Sequence, residues 1–156
     1  MKDYCIQDNY PEQYCHCYGC GRNNRHGLQI KSYWNGQKAT AMFLPGPHHI
    51  ALPGYVYGGL LASLVDCHGI ATASAAMDEI ERDPGKAGPQ LKRYVTASLH
   101  VDYLRPTPMG DELDLTGTAQ AGAKGKVMVE VTISAGGKVR VRGRVVAAPM
   151  PKSMAG

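Results

Sequence analysis

Apolar residues alternate with polar ones in six short runs of the chain, which is the pattern of half-buried β-strands. The alternation is clearest at Val127, Val129 and Val131. The six runs cover residues 28–34, 38–44, 94–104, 112–121, 126–135 and 138–148. Asn35-Gly36 joins the first two runs and Gly136-Gly137 joins the last two, and both pairs are typical of tight hairpin turns. The sequence therefore predicts antiparallel strands that begin and end with hairpins.

One long segment has a different pattern. Residues 58 to about 82 are rich in Ala, Leu, Met, Glu and Ser, and Asp83-Pro84-Gly85 ends the segment. This pattern predicts a single helix that is apolar on nearly every side and is therefore buried. The predicted fold class is α+β, with one long central helix wrapped by a curved antiparallel sheet of five to six strands.

The chain of 156 residues is long enough for one folded domain. Residues 28–148 hold all the predicted elements. Residues 1–27 are rich in Tyr and Cys, have no clean period, and are predicted to be irregular. Residues 149–156 contain Pro and Met and are predicted to be a flexible tail.

Composition excludes several classes of protein. A net charge of +4 with one Trp and one Phe argues against a nucleic-acid binder. The longest apolar stretch, Leu60 to Met77, contains Asp66 and His68, so we expect no membrane span. Met1-Lys2-Asp3-Tyr4 does not begin a positive-then-apolar leader. We therefore expect a soluble, cytoplasmic protein.

The predicted helix carries two features with chemical potential. Gly58 and Gly59 begin the helix, where the first backbone N–H groups lack partners and could hold an oxyanion; the alternative is a tight entry turn. Asp66 lies two turns later within a stripe of small residues. A carboxylate in an apolar helix is costly unless it is hydrogen-bonded or functional, so Asp66 is either catalytic or a core residue that caps a neighbouring backbone.

Three motifs resemble those of a known family. The segment Tyr57–Asp66 resembles the motif of the hotdog-fold acyl-CoA thioesterases of the PaaI-like group, in which His-Gly-Gly and six further residues precede an Asp. The segment Val95–Pro106, followed by Gly110, is similar to the family's next strand. Cys17-Tyr-Gly-Cys-Gly21 and His26-Gly-Leu28 resemble an N-terminal motif of a subset of the family.

The resemblance implies a hotdog fold and hydrolysis of an acyl-CoA thioester without a cofactor. It further implies a homodimer or a dimer of dimers, in which Gly58 of one subunit and Asp66 of its mate share a substrate. Asp66 would act as a general base or as a nucleophile. The chain has Tyr57 where the family has His, and Ala51 where many members have Asn. These departures keep open a non-catalytic acyl-CoA-binding or acyl-lipid-binding protein.

Further residues are candidates for supporting roles. Tyr57 could orient the loop or the substrate, Ser63 could hydrogen-bond Asp66 or a water, and His49 could substitute for the family's His. Thr96 and Ser98 are predicted to face the acyl pocket. His68 points away from Asp66 on a helix and is predicted to be a satisfied core or interface residue.

Basic residues concentrate toward the end of the chain. Arg140, Arg142 and Arg144 alternate with Val139, Val141 and Gly143, so they are predicted to line one face of a strand. They form either a solvated face or, together with Arg105, a patch for the phosphates of CoA.

The cysteines allow three interpretations. Cys15, His16, Cys17 and Cys20 offer ligand types suited to zinc, and Cys5 or His26 could complete a site. Only one Cys-x-x-Cys occurs, however, so we favour plain packing of the N-terminal segment over metal binding or redox chemistry and predict no metal. Cys67, inside the helix, is predicted to be an inert core thiol.

Overall fold

A computed structural model describes residues 3–156 as one helix packed against one antiparallel sheet. Helix α1 spans Gly58–Glu81. The strands are β1 (Tyr4–Cys5), β2 (Ser32–Trp34), β3 (Ala39–Phe43), β4 (Tyr94–Tyr103), β5 (Leu113–Ala121), β6 (Val127–Ala135) and β7 (Lys138–Pro149). The α+β hotdog fold is thus confirmed, and helix and strands lie within a few residues of their predicted bounds.

The sheet has seven strands in the order β1-β2-β3-β5-β6-β7-β4. Five to six strands were predicted, and the additional strand is β1, which pairs Tyr4 with Trp34 and Cys5 with Tyr33. Two residues are too few to show an alternating period, so this strand could not be predicted from the pattern. At the other end of the order, β4 hydrogen-bonds to β7 alone among the described residues 3–156, so its second edge is open there.

The helix lies very close to the sheet because glycines face bulky residues across the interface. A Cβ atom on Gly143 in β7 would collide with Val65 in α1. A Cβ atom on Gly69 in α1 would lie 2.6 Å from Val145 Cγ2 in β7. All four residues are buried, so α1 sits against β7 at a separation that only glycine permits.

His68 is part of this interface, as predicted. Its ring is fully buried, Nε2 donates to Ala39 O at 3.3 Å, and Nδ1 accepts from Ser32 Oγ at 2.8 Å. The ring therefore connects α1 to both β2 and β3. Burial lowers the pKa of His68 from 6.5 to about 4, so the ring is neutral at physiological pH.

The segment before β2 has little regular structure, yet it is packed rather than loose. After β1 it forms two single 3-10 turns, and its buried residues Ile6, Tyr10 and Cys15 join Ala71 and Ala75 of α1 in a second apolar cluster. At the other end of the chain, β7 continues to Pro149 and a 3-10 turn follows at Lys152–Met154.

By length and composition α1 is capable of crossing a membrane, and the fold explains its apolar character differently. In its most apolar stretch, 72 % of the residues are buried inside the protein. Its apolar residues pack against the sheet, as the core helix of a compact domain does.

Candidate functional site

The first helical residues present free backbone donors. Tyr57 precedes α1 in an extended conformation, and its N–H donates to His49 O at 2.8 Å, which fixes where the helix begins. Within residues 3–156, the N–H groups of Gly58 and Gly59 have no acceptor. Because these amides lie at the positive end of the helix dipole, they can hold a developing oxyanion.

Two tyrosines border these amides. A Cβ atom on Gly59 would collide with the ring of Tyr57, so that ring lies directly over the start of the helix. Tyr103, in β4, donates its hydroxyl to Gly58 O at 2.8 Å and ties the helix start to the open edge strand. Both rings are more than half exposed, so a molecule or a second chain docking here would meet both.

Asp66 lines a separate cavity of about 360 Å³. Its side chain is half-buried, and Oδ1 accepts a hydrogen bond of 2.6 Å from Thr96 Oγ1 in β4. The cavity is bounded by three further parts of the chain: the N-terminal segment at Tyr14 and Cys17, the edge strand at Tyr94, and the C-terminal residues Met150 and Met154. The carboxylate is therefore accessible from a chamber rather than sealed in the core.

The helix amides and Asp66 cannot act on one carbonyl within a single chain. Eight residues separate Gly58 from Asp66, which is about 12 Å along an α-helix. A reacting carbonyl must lie about 3 Å from both its oxyanion donor and its base or nucleophile. Within one chain, the helix amides and Asp66 therefore face different spaces.

Ser63 and His49 are placed away from Asp66. Ser63 Oγ donates to Gly59 O at 2.9 Å, one turn back along the helix, so the predicted bond to Asp66 is not formed and Thr96 supplies the donor instead. His49 Nδ1 accepts from Gly46 N at 2.9 Å, and the ring packs near Phe43. His49 reaches the helix start through its backbone carbonyl, not through its ring.

Thr96 and Ser98 do not share a face, although they are two residues apart. The register of β4 shifts between them, so Thr96 pairs with Ala147 and Ser98 pairs with Val146, consecutive residues of β7. Consecutive residues of a strand point to opposite faces. The prediction that both face one pocket is therefore wrong for this chain alone: Thr96 faces α1, and Ser98 faces the outer side of the sheet.

The arginines of β7 also divide. Arg140 lies at a register shift of β7 against β6, and its guanidinium donates to Ala135 O and Pro106 O, each at 3.2 Å. Arg144 is exposed and pairs with Glu130 at 3.0 Å, while Arg142 is exposed beside it. Arg105 donates to Val139 O at 2.7 Å. All three arginines of β7 were predicted to line one face of the strand. The register shift at Arg140 separates this residue from Arg142 and Arg144.

The structure assembles a cysteine cluster that sequence reasoning missed. The sulfur atoms of Cys17, Cys20 and Cys67 all lie within 4.8 Å of one another, and they line the same cavity as Asp66. Cys15, the other candidate of the N-terminal group, instead directs its Sγ at Tyr10 O and Pro11 O. Cys67, predicted to be an inert core thiol, thus lies against two other thiols.

A glycine makes room for this cluster. Gly19 lies between Cys17 and Cys20, and a Cβ atom there would collide with Cys67 Sγ. The pKa values of the three thiols shift in different directions. Hydrogen bonds from Cys20 and Cys67 lower the pKa of Cys17. The pKa of Cys20 is raised to about 11, chiefly by Cys17, and that of Cys67 is raised for the same reason.

Comparison with known proteins places this arrangement in a family. Residues 53–142, which include the helix start, Asp66 and β4, match the model of the thioesterase superfamily. The chain belongs to that superfamily.

Solved structures agree with this assignment. A thioesterase superfamily protein from Shewanella loihica PV-4 is 44 % identical, with a TM-score of 0.68 over 91 % of this chain and 100 % of that one. The PaaI protein of Escherichia coli has the same fold at 20 % identity, with a TM-score of 0.62 over 80 % of this chain and 81 % of its own.

A third structure comes from Streptococcus mutans UA159 and was determined with acetyl-CoA bound. It is 15 % identical, with a TM-score of 0.60 over 74 % of this chain and 83 % of its own. No curated protein matches the chain.

Proposed function

We propose that the protein hydrolyses an acyl-CoA thioester to the free acid and CoA, as a homodimer with composite active sites. The observation that carries the proposal is the pairing of an accessible Asp66 with acceptor-free amides at Gly58 and Gly59, inside the segment that matches the superfamily model. These are the groups that acyl transfer requires, namely an oxyanion holder and a base or nucleophile.

The chemistry follows one of two routes. In the first, Asp66 removes a proton from water while the water oxygen attacks the thioester carbon, and the Gly58 amide holds the oxyanion. The C–S bond then breaks, and the CoA thiolate leaves and takes up a proton. In the second, the Asp66 carboxylate attacks the carbon itself, the thiolate leaves, and water hydrolyses the resulting anhydride. Both routes need the same two groups.

The dimer is supported by the open edge of β4. This strand of 10 residues has one hydrogen-bonded neighbour, and Leu99, Tyr103 and the adjacent Leu104 are exposed along it. Tyr55 and Tyr57, also exposed, extend this apolar surface to the helix start. A long open edge with apolar side chains favours pairing with a second copy, which would bring one subunit's Gly58 toward the other's Asp66.

CoA binding would use the cations of β7. Among the residues described, Arg142 is exposed and forms no ion pair, and it lies beside Arg144 on the outer face of the sheet. Arginine binds phosphate through two parallel hydrogen bonds, which suits the phosphates of CoA.

We also propose a cytoplasmic location, since all five cysteines are free thiols and a reducing compartment keeps thiols in that state.

A second candidate is an acyl-CoA-binding protein without turnover. Tyr57 at the family's His position favours it, because the ring lies over the amides that the reaction needs. Binding of CoA without hydrolysis would support this second candidate.

The test measures CoA release from a panel of acyl-CoAs by chromatography, because the protein's own cysteines react with thiol reagents. We expect turnover by the wild type and a loss of at least about 100-fold in kcat for Asp66→Asn, which keeps the shape but loses basicity and nucleophilicity. The control is Asp114→Asn, an exposed carboxylate of β5 that lies outside the cavity and away from the open edge of the sheet. Equal rates for Asp66→Asn and wild type would refute the proposal.

A further inference from the structure

Three thiols lie at the separations that a tetrahedral metal site requires. Cys17 Sγ and Cys67 Sγ are 3.8 Å apart, and Cys20 Sγ lies within 4.8 Å of both. Zinc binds thiolates at about 2.3 Å, so two ligands of a tetrahedral ion are about 3.8 Å apart. A disulfide would need about 2.05 Å between two sulfurs and would leave the third thiol without a role.

The loop that carries Cys17 and Cys20 forms a tight turn with glycines beside the two thiols. Gly21 N donates to Cys17 O at 2.8 Å and closes the turn. Gly19 leaves room for Cys67 Sγ, which no other residue would do. Cys-x-x-Cys within a tight glycine-containing turn is a common metal-binding arrangement, and here its third thiol comes from the helix.

A half-buried cation next to the thiols lacks a matching anion. The Arg93 guanidinium packs over the Tyr10 ring at 4.7 Å and is close enough to Cys17 and Cys20 for their charges to act on it. Its Nη1 atom is buried without a hydrogen-bond partner, and in residues 3–156 no carboxylate forms an ion pair with it. A buried charge without a counter-charge is costly. Three thiolates around a divalent ion carry one net negative charge, which would balance Arg93.

We propose that Cys17, Cys20 and Cys67 bind one zinc ion per chain, with the fourth coordination position facing the cavity that Asp66 lines. The ion joins the N-terminal segment to α1 at the residue next to Asp66, across 50 residues of sequence. Its role is to hold this wall of the cavity in place. The inference does not depend on thioester hydrolysis, because the ligands are independent of the substrate.

The test uses the full chain, purified with reductant, stripped of metal and then supplied with Zn²⁺ or with Co²⁺ as a spectroscopic probe. We expect one zinc per chain by elemental analysis and a rise in melting temperature with Zn²⁺. Co²⁺ should give sulfur-to-metal charge-transfer absorption. Cys67→Ser should weaken zinc binding by at least about 100-fold, since loss of an outer-shell partner alone costs 10–100-fold.

The matched control is Cys15→Ser. Cys15 is a buried cysteine of the same N-terminal segment whose sulfur points at Tyr10 O and Pro11 O, so this variant should bind zinc like the wild type. Circular dichroism without metal verifies that each variant is folded, and Cys17→Ser replaces Cys67→Ser if the helix variant is not.

Three results would overturn the proposal. The first is zinc binding that Cys15→Ser and Cys67→Ser weaken equally. The second is no bound zinc above background in the reconstituted wild type. The third is a mass 2 Da lower in protein handled without reductant, together with absent zinc binding, which would identify the cluster as a thiol–disulfide pair instead.

Discussion

Protonation of His68 should destabilise the fold below pH 6.5. The ring is fully buried, and its surroundings are the uncharged Ser32, Ala39, Thr72 and Gly117. Burial lowers its pKa to about 4 with no contribution from a charged group. The unfolded chain, with a His pKa near 6.5, therefore binds a proton more readily than the folded chain between these two pH values.

The magnitude follows from the difference in pKa. A difference of about 2.5 units corresponds to about 3 kcal/mol in the free energy of unfolding, at about 1.4 kcal/mol per unit. This stability is present above pH 6.5 and is lost as the pH falls toward 4.

The assay is urea denaturation of the wild type and of His68→Gln from pH 8 to pH 4.5. The variant will be less stable at pH 8, but its free energy of unfolding should fall by about 2 to 3 kcal/mol less over this range than that of the wild type. Carboxylates such as Asp8, whose pKa Lys31 lowers, contribute to both proteins and cancel in the difference. Identical pH profiles for the two proteins would show that the buried His68 ring does not cause the loss of stability.

Two further results are expected. Gly143→Ala should lower the free energy of unfolding by about 1–3 kcal/mol in urea denaturation, because the new methyl group collides with Val65. Adding Val65→Ala should recover part of this loss. If the losses of the two substitutions simply add, the close contact between Gly143 and Val65 is not the cause. Thr96→Val should lower kcat in the CoA-release assay by about 10-fold, because it removes one hydrogen bond to Asp66. Thr96→Ser keeps the hydroxyl and should retain the wild-type kcat. Equal losses in the two variants would show that the hydroxyl does not position Asp66.

The sequence indicated the fold because the strand and helix periods are strong and their boundaries are marked. Asn35-Gly36 and Asp83-Pro84-Gly85 fall where the first hairpin turns and where α1 ends. Strand β1 was not predicted, because a two-residue strand has no alternating period. Its pairing with β2 depends on the tertiary packing of residues such as Ile6.

The site was only partly accessible from the sequence. Gly58, Gly59 and Asp66 are visible through local spacing on one helix. The separation of Ser98 from Thr96, and of Arg140 from Arg142, comes from bulges, and alternation alone cannot locate a bulge. Cys67 lies far along the sequence from Cys17 and Cys20, so their contact could not be predicted from local spacing. The spacing within the N-terminal segment grouped Cys17 and Cys20 with Cys15, whose sulfur points elsewhere.

A composite site requires that the amides of one subunit and Asp66 of its mate act on the same thioester. Gly58→Pro removes one amide donor with little disturbance, since Gly58 is the first helical residue and Tyr57, at φ −61° and ψ 128°, already has the conformation that precedes proline. Removal of one such donor costs about 10²–10³-fold in rate. Gly58→Pro and Asp66→Asn should therefore each be nearly inactive alone.

The decisive measurement is the CoA-release rate after these two variants are unfolded and refolded together in equal amounts. Random pairing makes half of the dimers mixed, and each mixed dimer has one intact site of two, so the account predicts recovery to about a quarter of the wild-type rate. A mixture that stays as inactive as its components would contradict the shared site.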